Sequence, residues 1–300
     1  MYGVILVPVD GSPLGERALS LAIPIAKQHG ARLTLLHVHE PLLPTTSVAG
    51  GAPVRDPALD RHLRADRDKY VARLAKKLRR ETALAIEAEI REGPVAETID
   101  TFARQTAVEL IVMSTHGRGG FGRFWLGSVA DGLLRRVAIP LLLVRAGRGR
   151  RSKATAPPLF SRILVPLDGS PLAEQAIAES QRLVGSAPTH LTLAHVVHPA
   201  LVAATMIGAP EGDQVARVLY LEPLAEQLRS ATLTVSTELV PHTNVARALL
   251  TLANGDGADL IALASRGQGG IQRLVLGSVA DKLIRSADQP VLVCPGRPAA

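Results

Sequence analysis

The chain has 300 residues, of which 47% are hydrophobic, 20% charged and only 3% aromatic. That is a globular composition, long enough for two ordinary domains, with a core that must be built from Leu, Val, Ile and Ala. The single cysteine, Cys294, excludes an internal disulfide and a cysteine-cluster metal site. No apolar run approaches the length of about 18 residues that a membrane span needs. The opening "MYGVILVPVD" has no basic leader and no cleavage pattern. A soluble cytoplasmic protein without a membrane partner is expected. The net charge of +7 favours anionic partners. Part of it sits in "RAGRGRRSK", Arg145 to Lys153, which reads as a solvated linker rather than a nucleic-acid tether.

In chain order, "VILVPV" from Val4 is a buried strand. Ser12-Pro13 then reads as an N-cap with proline at the first helical position. The helix runs to about His29 and Gly30 closes it. "RLTLLHVH" is the second strand, and a charged helix covers roughly 56–80. "ALAIEAEI" alternates and reads as a third strand. A helix follows Pro94, "ELIVMS" is a continuous apolar strand, a helix starts near Gly127, and "PLLLV" is the last strand. Alternating elements with continuous apolar strands predict a parallel sheet with helices on both faces. In such sheets a ligand lies at the carboxyl ends of the strands, at the switch point, just after the first and fourth strands.

The second half repeats the first. "ILVPVDGSPLGERAL" at Ile5 returns as "ILVPLDGSPLAEQAI" at Ile163, and "LTLLHVHEP" at Leu33 as "LTLAHVVHP" at Leu191. "STHGRGGFGRFWLGSVAD" at Ser114 returns as "ASRGQGGIQRLVLGSVAD" at Ala264. The change of offset along the repeat places a deletion in the loop after the second strand. This is a duplicated domain: α/β, two tandem doubly wound units, each a five-stranded parallel sheet. The units cover 1–147 and 159–300, with a basic, proline-containing linker at 148–158. The final strands "IPLLLV" and "QPVLVC" are apolar edges that invite pairing. They are expected to join the halves as a pseudo-dimer, and a dimer of the whole chain is also open.

The glycine stretch admits several readings. Gly117, Gly119 and Gly122 spell a dinucleotide fingerprint, but after the fourth strand instead of the first, and Gln272 replaces the last glycine in the copy. A Walker loop would need a lysine that neither copy has. Both copies keep a glycine, Gly117 or Gly267, followed after nine residues by Gly127-Ser128 or Gly277-Ser278. A helix N-terminus reached through a glycine turn suits phosphate. His116 and Arg266 beside the loop can also donate to phosphate. Ser128 with Asp131, and Ser278 with Asp281, equally fit a capping box. Asp10 in "DGSP" equally fits ordinary turn chemistry. Metal ligation by His37 and His39 is the weaker reading, because the pair is not repeated in the copy.

With these blocks in one order, twice, the chain resembles the universal stress protein family over nearly its whole length. The matching residues are Pro8 and Asp10 with Pro166 and Asp168, His37-Val38 with His195-Val196, and the two glycine loops. The resemblance implies an adenine nucleotide alpha hydrolase-like fold and a stress-response, regulatory protein that binds ATP, or ADP or AMP, with Mg²⁺ or Mn²⁺. It implies contacts from Asp10 and Asp168 to ribose and from the backbone of Val38 and Val196 to adenine. Gly117, Gly127, Ser128 and Val129 would wrap phosphate, as would Gly267, Gly277, Ser278 and Val279, with Ser114 and His116 alongside. Ser114 and Ala264 stand where the family motif begins with glycine. That departure leaves a nucleotide-free interaction module as the alternative. No water-positioning group stands out, so any ATP hydrolysis is expected to be slow.

Overall fold

The computed structural model describes residues 1–41, 57–115, 126–145, 159–206, 220–266 and 276–295. The basic linker expected at 148–158 lies outside them. The first half runs β1 (Val4–Pro8), a 3₁₀ turn (Gly15–Ala18), α1 (Leu19–His29), β2 (Arg32–His39), α2 (Pro57–Thr82) and β3 (Ile86–Glu92). It continues with α3 (Val95–Gln105), β4 (Leu110–Ser114), α4 (Ser128–Arg136) and β5 (Leu141–Val144). The second half runs β6 (Arg162–Pro166), α5 (Pro171–Val184), β7 (Thr189–Val197), α6 (Pro199–Met206), α7 (Leu221–Leu228) and β8 (Leu233–Pro241). It ends with α8 (Val245–Gly255), β9 (Leu260–Ala264), α9 (Ser278–Ser286) and β10 (Val291–Cys294). The length difference between the copies falls between the second and third strands, where α2 has 26 residues and α7 only 8.

The ten strands of the described residues form one sheet in the order β3-β2-β1-β4-β5-β10-β9-β6-β7-β8. Each half contributes five parallel strands, and the halves meet where β5 and β10 pair antiparallel, Leu142 opposite Leu292. The apolar central strands are buried on both faces. Ile5, Val7, Leu33, Leu110 and Val112 pack in one core layer. Leu6, Leu36, Ile111 and Met113 pack in the other. At the edge, β3 buries Ile86 and carries Glu87, Glu89 and Arg91 on its alternate positions, charges that discourage pairing with another chain.

The two copies start their first helix differently. Ser170 is the N-cap of α5, its side chain accepting from the Ala173 amide, with Pro171 behind it. Ser12 accepts from the Gly15 amide at 3.0 Å, but the chain there forms the 3₁₀ turn, and α1 begins only at Leu19. The expected N-cap at Ser12 is therefore corrected. The reason is Gly15: a Cβ there would lie 2.4 Å from Asp10 Oδ1, so the absence of a side chain lets the turn tighten onto the aspartate. Gly30 ends α1 with φ of 63°, a conformation that favours glycine.

Beyond the strand pairing, the halves are locked by two clusters. On one face Gln28 Nε2 donates to the carbonyls of Leu183 and Val184 at 3.1 and 2.8 Å. The Tyr2 hydroxyl donates to Glu179 at 2.6 Å. Arg182 stacks 4.3 Å above the Tyr2 ring and pairs with Glu109. On the other face Arg145 donates to the Ala287 carbonyl at 2.6 Å, and Arg285 lies 3.5 Å from Asp131.

Candidate functional site

The sheet order puts the switch point between β1 and β4, and its copy between β6 and β9. There the ladders are short. β1 pairs with β2 over five positions but with β4 over only two, Ile5 opposite Leu110 and Leu6 opposite Ile111. Proline explains why. In a parallel strand successive residues bond to opposite neighbours. The Val9 amide donates to Leu36 of β2 at 2.9 Å, so the nitrogen of Pro8 faces β4 and has no hydrogen to give. In the copy the Leu167 amide donates to Ala194 of β7 at 2.8 Å, and Pro166 faces β9. Each half thus parts its central strands at their carboxyl ends, the place of the ligand crevice in doubly wound sheets.

Asp10 stands on one lip. Its Oδ1 accepts from the amide and hydroxyl of Ser12 at 2.9 and 2.7 Å. Asp168 repeats this with Ser170 at 3.0 and 2.6 Å. The turn reading of the aspartate is therefore correct, yet an ionised carboxylate offers about four acceptor sites, so the turn does not exhaust it. Behind this lip the Nδ1 of His37 donates to the Val9 carbonyl at 2.7 Å, and His195 makes the same bond to Leu167 at 2.7 Å. A carbonyl only accepts, so both rings carry hydrogen on Nδ1. They fix β2 and β7 to the aspartate loops just before Val38 and Val196. Sequence reading missed this positioning role, although the signal was present in the repeated His-Val. His39 instead meets Asp60 at 3.1 Å.

The other lip is the start of α4. The Gly127 amide donates to the Thr115 carbonyl at 2.9 Å, and the Asp131 amide to the Gly127 carbonyl at 2.9 Å. Gly127 is therefore the N-cap and Ser128 the first helical residue. This overturns the capping box at Ser128, because a cap must precede the first turn and Asp131 turns instead to Arg135 at 3.0 Å. Gly277, Ser278 and Asp281 repeat the arrangement, with Asp281 on Arg285 at 2.8 Å. Ser128 and Ser278 are exposed. The amides of Ser128, Val129 and Ala130 have no partner within the helix, and they carry its partial positive charge. The same holds for Ser278 and Val279. A Cβ on Gly127 would lie 3.0 Å from the Thr115 carbonyl oxygen, and one on Gly277 3.5 Å from that of Ser265.

Ser114 is buried at the end of β4. By strand alternation it shares the face of Leu110 and Val112, which pack in the layer with Ala18 and Leu19. Ala264 is placed likewise behind Leu260 and Ala262. The added Cβ atoms are thus on the α1 or α5 side of the sheet, while α4 and α9 pack on the other. His116, Gly117 and Gly267 lie outside the described residues.

A profile of the universal stress protein family matches residues 1–145 and again 159–295. A universal stress protein of Mycolicibacterium smegmatis is 28% identical over 97% of this chain and 96% of its own length. One from Thermus aquaticus is 36% identical over 48% of this chain and all of its own. The crystal structure of a universal stress protein from Archaeoglobus fulgidus shares the fold, with a TM-score of 0.71 at 21% identity over 98% of both chains. No helix among the described residues is long and apolar enough to cross a membrane. Two matches in tandem, on two halves with one sheet topology, show that the chain belongs to the universal stress protein family.

Proposed function

We propose that the chain is a cytoplasmic stress-response regulator that binds an adenine nucleotide, ATP with Mg²⁺ or Mn²⁺, in the crevice of each half. The observation that carries this reading is the pairing of opposite chemistries across the switch point. A carboxylate after the first strand can accept from ribose hydroxyls. An uncapped helix start after the fourth can receive phosphate through the amides of Ser128, Val129 and Ala130. Membership of the family supports it. Ser128 and Ser278 add an exposed hydroxyl at each helix start. The cation would be held largely by the phosphates, as is usual for Mg²⁺. Binding requires only these donors and an adenine slot, whereas cleavage also requires a positioned water. Phosphate release is therefore expected to be slow at most.

Thermal melting with increasing ATP·Mg tests the proposal. Binding to the native state alone stabilises by about 2.7 kcal/mol at one hundred times Kd. Asp10→Asn and Asp168→Asn retain an oxygen for the turn but lose the charge. Each should weaken its own site about tenfold, the difference between a charged and a neutral acceptor. A melting temperature that does not move with ATP, ADP or AMP overturns the reading.

A further inference from the structure

The second half has a cavity of about 190 Å³ whose walls include Arg162, His190, Thr192, Ser236, Glu238 and Asp256. It lies over the amino-terminal half of the strands, since Arg162 begins β6 while the nucleotide lip Asp168 follows its end. It is therefore separate from the crevice. Its floor is an ordered polar chain. His190 bonds Thr234 Oγ1 at 3.0 Å through Nδ1 and Ser236 Oγ at 2.8 Å through Nε2, and the Ser236 hydroxyl lies 3.5 Å from that of Thr192. Leu164 and Ala258 supply an apolar side. Arg162 is steadied by its bond to the Asp256 carbonyl at 2.9 Å.

The first half serves as an internal control. Strand register makes Val4, Arg32 and Glu87 the counterparts of Arg162, His190 and Ser236. There Arg32 and Glu87 form an ion pair at 2.9 Å across the same two strands, in the place of the imidazole and the hydroxyl. In the second half both side chains are shorter, and a guanidinium stands one strand inward, on β6.

We infer that this cavity is a binding site for a small zwitterion, an α-amino acid. Its volume is below the roughly 300–1,000 Å³ of sites for drug-sized ligands. Arg162 and the acidic residues Glu238 and Asp256 together line so small a space, which disfavours a simple anion or a simple cation. Arg162 suits an α-carboxylate, Glu238 an ammonium, and the hydroxyl and imidazole floor a short polar side chain.

Saturation-transfer NMR of the full chain with the L-amino acids, acetate and methylammonium tests this. The expected result is transfer to one or a few amino acids and none to acetate or methylammonium. The double variant His190→Arg with Ser236→Glu, which installs the ion pair of the first half, should abolish the signal while leaving the ATP·Mg response unchanged. Glu238→Gln, an exposed change that leaves the floor intact, should weaken binding about tenfold and covers the case in which the double variant does not fold. The inference is overturned if no amino acid shows transfer, if acetate or methylammonium shows as much, or if Glu238→Gln binds as the parent does.

Discussion

Replacing Gly127 and Gly277 in turn by alanine separates two roles that the glycines of the repeated Gly-Ser could have. Both are helix N-caps in ordinary backbone conformations, φ of −59° and −62°, so alanine is free to adopt either. At both sites alanine lowers the entropy of the unfolded chain, worth about 0.4–1 kcal/mol in favour of folding. At both it is also a poorer cap than glycine, by a comparable amount. These effects nearly cancel, so Gly277→Ala should change stability by less than about 0.5 kcal/mol. Gly127 differs by one distance, since its Cβ would meet the Thr115 carbonyl oxygen at 3.0 Å instead of 3.5 Å. Thr115 has little room to retreat, because its amide is held by the Val144 carbonyl at 2.9 Å. Overpacking of this kind costs about 1–3 kcal/mol. Urea unfolding of the nucleotide-free protein reads the difference as a midpoint shift at constant slope. Equal shifts in the two variants, or none at Gly127, would refute the close-approach argument.

Other consequences can be checked by similar means. His29 accepts the Tyr2 amide at 3.2 Å and faces the Leu183 carbonyl at 3.0 Å, an arrangement open only to the neutral ring. Burial, with the N-terminus and Arg182 nearby, holds its pKa below the usual value against the opposing pull of the Leu183 carbonyl and Glu109. The unfolded chain therefore takes up the proton first. Stability should be complete above about pH 6.5 and fall as the pH drops below it, and His29→Phe should flatten melting temperature against pH across that range. Ser170→Ala removes the α5 cap and the 2.6 Å bond to Asp168. A loss of about 1 kcal/mol in denaturant is expected. Asp131 and Arg285 are 3.5 Å apart with side chains 31% exposed, so a double-mutant cycle should give a coupling below about 1 kcal/mol.

The apolar runs and their alternation made the succession of strands and helices in each half legible, and the two apolar last strands foretold where the halves join. The crevice was legible from the doubly wound pattern, because the switch point follows from topology alone. Finer points were hidden for definite reasons. Ser128 and Gly127 are neighbours, and which of them caps the helix depends on the Thr115 carbonyl, a contact no local pattern encodes. The divergence of Ser12 from Ser170 turns on Gly15, whose missing Cβ matters only once Asp10 is folded onto it. The lock of Tyr2, Glu179 and Arg182 joins residues nearly 180 positions apart, and the cavity at His190 arises from side-chain lengths in three adjacent strands. Both needed the assembled sheet to be seen.

The central claim is that the two crevices receive adenine nucleotide, and equilibrium dialysis of the purified, nucleotide-stripped chain against labelled ATP with Mg²⁺ addresses it most directly. Saturation at two nucleotides per chain is the predicted result, and at about ten times Kd the Asp10→Asn variant, one site weakened about tenfold, should hold about 1.4 nucleotides where the parent holds about 1.8. Failure of the chain to retain any nucleotide, with its circular dichroism unchanged, would contradict the account.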